Sequence, residues 1–239
     1  MPDALPATGA HDLTRRVRER LAEHADPVRA PQMQAYMKSE LPYRGIGAAP
    51  LRRLLAGLYV EHPLPDRGAW EACVRELWDG AGFREERYAA MALVSHRCYA
   101  DHQDPDLLPL LRHLITTGAW WDYVDPLASR SVGSLLAAEP TVLTPVVRRW
   151  AVADELWLRR TALICQLHRG GNTDLALLGD AVDANLLGSA FGDEFFVRKA
   201  IGWALRQHAR VDPGWVRDFV TARKGRLSGL SRREALKHL

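Results

Sequence analysis

Apolar side chains recur along most of this chain with the period of an α-helix. Positions i, i+3, i+4 and i+7 are apolar in successive stretches, whereas alternating β-branched runs, which are typical of strands, do not occur in the sequence. The apolar stretches are 69–78, 86–99, 106–115, 143–152, 156–167, 175–187, 195–205 and 215–222. The pattern predicts an all-α protein.

Residues that start helices stand at the breaks between these stretches. An N-cap acceptor, or a proline suited to the first helical turn, occurs at Asp66, Asp104-Pro105, Glu139-Pro140, Thr173-Asp174 and Asp212-Pro213. The signals recur roughly every 35–40 residues, which is the length of a helix–turn–helix repeat. We therefore predict an α-solenoid of HEAT-like helix pairs, with an irregular helical bundle as the alternative.

The second helices of such pairs line one shared surface, because each repeat packs on its neighbours in the same way. The breaks predict second helices near 84–100, 120–137, 154–169 and 193–210. Residues far apart in the sequence can therefore share one groove. Trp121, Asp125, Arg160 and Trp203 all lie on these predicted helices.

The chain has enough apolar residues for a sizeable core, with 239 residues of which 47% are hydrophobic. Residues 1–10 are rich in Ala, Pro and Gly, and we expect them to form a flexible tail before a helix that begins near Asp12. Residues 11–239 are then predicted to form a single domain.

Charge and cysteine content narrow the function only slightly. The chain has 32 Lys and Arg beside 29 Asp and Glu, a net charge of +3, so a surface for a polyanion must come from clustering. Three widely spaced cysteines fit neither a disulfide framework nor a C-x-x-C site. With no signal peptide or apolar membrane segment, we expect a cytoplasmic protein without membrane contact.

Familiar cofactor and metal motifs do not occur in the sequence. It has no Walker A loop, dinucleotide-binding loop, nucleophile elbow or H-E-x-x-H, and its nine histidines share no spacing. We expect neither a cofactor nor a metal ion.

Trp121 and Asp125 are the first candidate pair for chemistry. On an uninterrupted helix their i, i+4 spacing places the indole and the carboxylate on one face, where both would favour a bound cation. Spacing alone favours two plainer interpretations. The tryptophans at 120 and 121 would be core residues, and Asp125 would cap a new helix that begins at Pro126.

Arg160 and Trp203 are less specific candidates. Arg160 has the alternative of a solvated side chain, or of an ion pair with Asp154 or Glu155. Trp203 follows Gly202, which permits close approach of either a helix or a ligand.

The C-terminal segment has the densest basic stretch of the chain. Ser231-x-x-Glu234 has the spacing of a capping box that opens the last helix, where Arg232, Arg233 and Lys237 would join backbone N–H groups. This combination suits a phosphate, although a run of charges is more often a solvated face.

Several segments together resemble the AlkD-type DNA glycosylases, a family of helical-repeat enzymes that release alkylated purines from DNA. The resemblance extends from about Pro27 to the C-terminus. The matching segments are AYMKSELPYRGIGAAPLRRLL (35–55), EACVRELWDG (71–80), REERYAAMAL (84–93), WWDYVD (120–125), LWLRR (156–160), EFFVRKAIGWALR (194–206) and LSRREALKHL (230–239). The family resemblance implies a HEAT-like solenoid whose concave, basic face cups duplex DNA containing alkylated purines.

The resemblance also implies roles for single residues. Trp121 and Trp203 would flank the damaged nucleotide, with Asp125 as the catalytic carboxylate. Contacts to DNA would come from Tyr36, Arg160, Arg206, Ser231, Arg232, Arg233 and Lys237. We expect a monomer.

Two positions depart from the family pattern. Pro126 biases Asp125 away from helical dihedrals, so the i, i+4 geometry with Trp121 is conditional. His168 stands where relatives often carry a lysine, which would weaken one backbone contact or make it pH-dependent.

Three functions are therefore open at this point. A monofunctional alkylpurine glycosylase would release 7-methylguanine or 3-methyladenine, either in general repair or in self-protection against a DNA-alkylating natural product. A non-catalytic DNA-structure binder would retard DNA and free no base. A protein-interaction solenoid would have no measurable affinity for DNA at low salt.

Overall fold

The computed structural model describes residues 7–239, and this range contains helices and no β-strand. The all-α prediction is confirmed. Internal contacts group the chain into two compact units that divide between His102 and Gln103. Whether residues 11–239 fold as one domain stays a prediction.

The N-terminal unit has a core of aromatic and aliphatic side chains from successive helices. Tyr59, Trp70 and Trp78 are fully buried there. The α-helices in its described part are α1 (Ala7–Glu23), α2 (Ala30–Met37), α3 (Ala48–Glu61), α4 (Arg67–Asp79) and α5 (Arg84–Val94), followed by a kinked 3-10 segment (Arg97–His102).

Helix α1 begins earlier than the composition of the N-terminus suggested. Its first residue is Ala7 rather than one near Asp12, so the predicted flexible tail over 1–10 is wrong for residues 7–10, and residues 1–6 lie outside the described range. Ala10 is buried with Leu13, Val17 and Leu21. This spacing extends the apolar stripe of α1 by one turn and holds that turn in place.

The C-terminal unit consists of helices joined by turns and loops, two of which, 165–174 and 184–194, are about ten residues long. Its α-helices are α6 (Leu108–Gly118), α7 (Trp121–Pro126), α8 (Gly133–Ala138), α9 (Pro140–Ala151), α10 (Leu156–Ile164), α11 (Leu175–Asp183), α12 (Phe195–His208), α13 (Pro213–Ala222) and α14 (Gly229–Ala235). None of the helices in residues 7–239 is long and apolar enough to cross a membrane.

Helices α5, α10 and α12, and the run from α7 to α8, lie where second helices were predicted. Aspartates cap several helices as expected. The carboxylates of Asp66, Asp174 and Asp212 each accept a hydrogen bond from the backbone N–H three residues later, at 2.8, 3.0 and 2.8 Å. Each such cap contributes ~1 kcal/mol to helix stability.

The start of the last helix differs from the predicted capping box. Ser228, not Ser231, is the N-cap of α14, and its hydroxyl accepts from the Ser231 N–H at 3.0 Å. Glu234 does not reach back to the cap, because its carboxylate forms ion pairs with Lys199 and Arg206 of α12. Packing against α12 therefore moves the helix start one turn upstream.

Pro126 does not interrupt the helical path of the chain. The proline is the last residue of α7, and the chain continues through a π-helical turn (Leu127–Val132) directly into α8. Proline lacks an N–H for a regular helical bond, and a π-turn absorbs such a mismatch within a helix. Asp125 is therefore inside a helix, one turn after Trp121, and the interpretation of Asp125 as an N-cap is wrong.

Close packing behind this segment depends on Gly133. A methyl group on its Cα would overlap the backbone carbonyl oxygen of Cys165, at the end of α10. The glycine lets α8 approach the backbone that follows Arg160, so it fixes the spacing between the segments that carry Asp125 and Arg160.

We expect Gly133→Ala to lower the free energy of unfolding by about 1–3 kcal/mol, because the added methyl meets backbone that cannot move aside cheaply. Gly179→Ala on α11 is the matched control. Its methyl group would lie 3.7 Å from a ring carbon of Phe219, which is an ordinary contact. The higher helix propensity of alanine should then raise the free energy of unfolding by as much as about 1 kcal/mol. Urea unfolding measures both changes, and equal stability of Gly133→Ala and wild type would contradict this account.

Candidate active site

The packing of α7 against α10 brings Asp125 and Arg160 into a bidentate ion pair. Arg160 donates from Nε to Oδ1 and from NH2 to Oδ2 of Asp125, each at 2.7 Å. The third guanidinium nitrogen, NH1, donates to the carbonyl oxygen of Phe196 on α12 at 2.6 Å. Arg160 of α10 therefore connects α7 and α12, and its planar guanidinium matches the geometry of a carboxylate.

Both members of the pair are withdrawn from solvent. The side chain of Arg160 is 4% exposed and that of Asp125 is 14% exposed. The sequence-based alternatives for Arg160, a solvated side chain or a pair with Asp154 or Glu155, are therefore wrong. Glu155 instead caps α10 by accepting from the Leu158 N–H at 2.6 Å.

The location of Arg160 also differs from the one that the resemblance implied. A groove-facing arginine would offer its guanidinium to the DNA backbone, but here that group is buried and bonded to Asp125 and Phe196. The reason is that the carboxylate lies within reach across the α7–α10 contact and supplies two charge-assisted bonds. The structure places the guanidinium of Arg160 against the carboxylate of Asp125 and the backbone of Phe196.

Burial raises the pKa of Asp125 above its ordinary value, and this effect outweighs the hydrogen bonds and positive charge of Arg160, which act in the opposite direction. The side chain of Asp125 remains 14% exposed, and each carboxylate oxygen can accept a further hydrogen bond beside the one from Arg160. Because the carboxylate of Asp125 is largely shielded from solvent, its electrostatic effect on a nearby cation exceeds the effect that it would have in water.

No three His, Cys, Asp or Glu side chains in residues 7–239 are grouped as metal ligands.

Aromatic rings pack beside the ion pair. The ring of Phe196 lies 5.5 Å from that of Trp120 and 5.0 Å from that of Trp157, between centroids. Trp120 thus packs in an aromatic cluster, although it is half-buried and not a fully buried core residue as the plainer interpretation predicts. Trp121, the next residue, is half-buried.

Trp203 lies on α12 and is also half-buried. The neighbouring Gly202 serves a helix contact, since a methyl group there would lie 2.5 Å from Cβ of Glu234 and 3.0 Å from the carbonyl oxygen of Ser231. Of the two alternatives for Gly202, approach of a helix is the observed one. Helix α14 therefore packs directly beside Trp203.

The DNA contacts predicted on α12 and in the C-terminal segment fall into three groups. Ser231 is buried, and its hydroxyl donates a hydrogen bond to the carbonyl oxygen of Arg198 at 2.8 Å. The side chain that was predicted to contact DNA therefore links α14 to α12. Arg232, Arg233 and Lys237 are exposed. Arg206 is half-buried and paired with Glu234.

Tyr36 and His168 lie elsewhere in the chain. Tyr36 is on α2 of the N-terminal unit and is 78% exposed, an unusual state for an aromatic side chain. His168 follows α10 and is exposed.

Phe196 and Lys199 were not among the residues singled out in the sequence, and Glu234 was singled out only as part of the predicted capping box. Phe196 holds Arg160 through its backbone carbonyl, for which a sequence carries no signal. The sequence does give an indication for Glu234 and Lys199, since both lie in charged stretches within segments that resemble the family. Their pairing at 2.8 Å depends on how α14 lies on α12.

Comparisons with known proteins agree with this architecture. A search of curated proteins found no match. Among solved structures, one described as a predicted DNA alkylation repair enzyme from Enterococcus faecalis is 29% identical in sequence, with a TM-score of 0.79, over 90% of this chain and 96% of that one.

The model of the DNA alkylation repair enzyme family matches residues 17–239. This match includes most of the N-terminal unit and the whole C-terminal unit, with α7, α10 and α12 and the Asp125–Arg160 pair. The chain belongs to the DNA alkylation repair enzyme family.

Proposed function

We propose that this DNA repair enzyme is a glycosylase that hydrolyses the N-glycosidic bond of N3- or N7-alkylated purines in duplex DNA. The observation that carries the proposal is Asp125, a largely buried carboxylate whose two oxygens are held by one arginine. A protein that only binds the phosphates of DNA would gain nothing from an oriented carboxylate on its DNA-binding surface, because the carboxylate repels the phosphates.

The chemistry of the substrate suits a single carboxylate. A purine alkylated at N3 or N7 is cationic, so the electron pair of the breaking C1′–N bond neutralises the base, which leaves without protonation by a general acid. Positive charge then develops on the deoxyribose. Asp125 stabilises this charge and orients a water molecule, whose oxygen bonds to C1′ while a proton passes to the carboxylate or to solvent.

Trp121 and Trp203 supply aromatic faces for the same cation. Trp121 precedes Asp125 by one turn of α7, and Trp203 lies on α12, whose Phe196 carbonyl holds Arg160. An indole face stabilises a nearby cation by ~1–2 kcal/mol when water is excluded. The two residues would contribute to recognition of the damaged nucleotide rather than to bond cleavage itself.

Arg160 acts in this proposal as a positioning residue. Its guanidinium fixes the direction of both Asp125 oxygens and favours their ionised form against the effect of burial. Contacts to DNA come instead from side chains with exposed polar groups: Tyr36, Arg206, Arg232, Arg233 and Lys237.

Asp125→Asn should reduce release of 7-methylguanine by ~10²-fold or more, because the amide cannot stabilise developing positive charge. The measurement is release of the free base from methylated duplex DNA, identified by mass, with DNA affinity measured in parallel. Asp183→Asn is the matched control, since Asp183 forms a comparable bidentate pair with Arg223, at 2.6 and 2.7 Å. Wild-type release by Asp125→Asn would remove this carboxylate from the mechanism.

Arg160→Lys tests the positioning role. A lysine retains the charge and cannot form the two parallel bonds, so we expect slower excision with unchanged affinity for undamaged DNA. Arg223→Lys makes the same change in the Asp183 pair and should leave both quantities as in wild type. A loss of DNA affinity in Arg160→Lys would show that Arg160 contacts DNA.

Excision should decline in acid with a midpoint above 3.8, the ordinary pKa of an aspartate, because the pKa of Asp125 is raised. Protonation of Asp125 below its raised pKa removes the negative charge on which the mechanism depends, so activity is lost as the pH falls. A pH–rate profile of the enzyme, corrected for spontaneous depurination of the same DNA, measures this limb. Activity that stays flat well below pH 3.8 would contradict the assignment.

A further inference from the structure

Two cations of α12 share one carboxylate of α14. Glu234 forms an ion pair with Lys199 through Oε1 at 2.8 Å and a second pair with Arg206 through Oε2. Lys237 also contributes positive charge near this carboxylate, and the pKa of Glu234 is lowered, chiefly by its hydrogen bond with Lys199. The group is therefore ionised at neutral pH and holds both cations.

The spacing along α12 aligns the pair with Trp203. Residues 199, 203 and 206 follow the i, i+4, i+7 pattern, which places them on one stripe of a helix. Trp203 thus has a cation about one turn away on each side. Phe196, whose carbonyl holds Arg160, is three residues before Lys199 and continues the stripe toward Asp125.

The carboxylate does not exhaust the hydrogen-bonding capacity of either cation. An ammonium group has three N–H donors and a guanidinium has five. Lys199 uses one of them in its contact with Glu234, as does Arg206. Both side chains keep contact with solvent, at 40% and 23% exposure. Two cations and one anion leave a net charge of +1 in the cluster.

We propose that Lys199 and Arg206, held as a pair by Glu234, bind a phosphate group of the DNA backbone on the Trp203 side of the site. The inference rests on the DNA-directed function proposed above, to which it adds Lys199 as a DNA contact and Glu234 as a positioning residue. The carboxylate restricts two flexible side chains before DNA arrives, so less conformational entropy is lost on binding.

Helix α14 is anchored well enough to serve this purpose. The Ser231 hydroxyl donates to the carbonyl oxygen of Arg198, and Glu234 packs where Gly202 has no side chain. These contacts lie one residue before Lys199 and one residue before Trp203. Glu234 therefore enters the cluster from a fixed position relative to the stripe.

The salt dependence of affinity for undamaged duplex DNA tests the two cations. Each lost phosphate contact should flatten the slope of log K against log salt by about 0.9. We expect this change in Lys199→Ala and in Arg206→Ala, and a wild-type slope in Lys199→Arg. Arg148→Ala is the matched control, because Arg148 is also partly exposed and paired, with Asp180 at 3.0 Å, on other helices. A wild-type slope in Lys199→Ala, or an equal flattening in Arg148→Ala, would overturn the proposal.

Glu234→Gln tests the positioning role separately. Removal of the anion leaves one more uncompensated positive charge, so the slope should be at least as steep as in wild type, while excision slows on the order of 10-fold because the cations are no longer aligned. Wild-type excision by this variant would refute the role of Glu234, and thermal unfolding confirms that each variant is folded.

The binding measurement separates this inference from the glycosylase proposal, because it uses undamaged DNA. Wild-type protein that frees no base, together with a flattened slope in Lys199→Ala, would reject the glycosylase and retain the phosphate contact. Base release by the wild-type protein, together with a wild-type slope in Lys199→Ala, would retain the glycosylase and reject the phosphate contact.

Discussion

The arrangement of the candidate site depends on one buried ion pair. Arg160 bonds both oxygens of Asp125 and the carbonyl oxygen of Phe196, and so connects α7, α10 and α12. Burial of two opposite charges is costly, and only near-ideal geometry with additional hydrogen bonds offsets that cost. Such a pair contributes less to stability than to specificity of position. Its benefit in this protein is a carboxylate whose direction is set before any ligand arrives.

Close approach of helices supports the same site from two sides. Gly133 lets α8 reach the backbone at the end of α10, and Gly202 lets α14 reach α12 beside Trp203. A side chain at either position would push apart helices that carry residues of the site. The charged contacts can therefore be short because small residues set the distances between helices.

Much of the helical framework could be predicted from the sequence, because it follows from local patterns. The apolar period located α5, α10 and α12, and aspartates marked helix starts that their carboxylates cap. Local rules were less decisive where two similar signals compete. Ser231 with Glu234 has the spacing of a capping box, but Ser228 is the cap, and Glu234 instead pairs with Arg206 of α12.

The pairing of Asp125 with Arg160 lay beyond such rules. The two residues are 35 positions apart, and nothing local to either tells which way its side chain turns across a helix contact. The family resemblance identified both residues but implied a groove-facing arginine. Tertiary packing gives the guanidinium a carboxylate partner in the interior, Asp125.

The π-helical turn after Pro126 also constrains chain length. A turn of this kind contains one residue more than an α-helical turn, and each residue rotates a helix by about 100°. Asp125 is fixed on one side by Arg160, and Gly133 on the other by the carbonyl of Cys165. A relative that lacked one residue between them would have to rotate either the carboxylate or the glycine out of place. Homologues that keep the Asp125–Arg160 pair and the glycine at position 133 should accordingly keep the interval from Asp125 to Gly133 free of insertions and deletions.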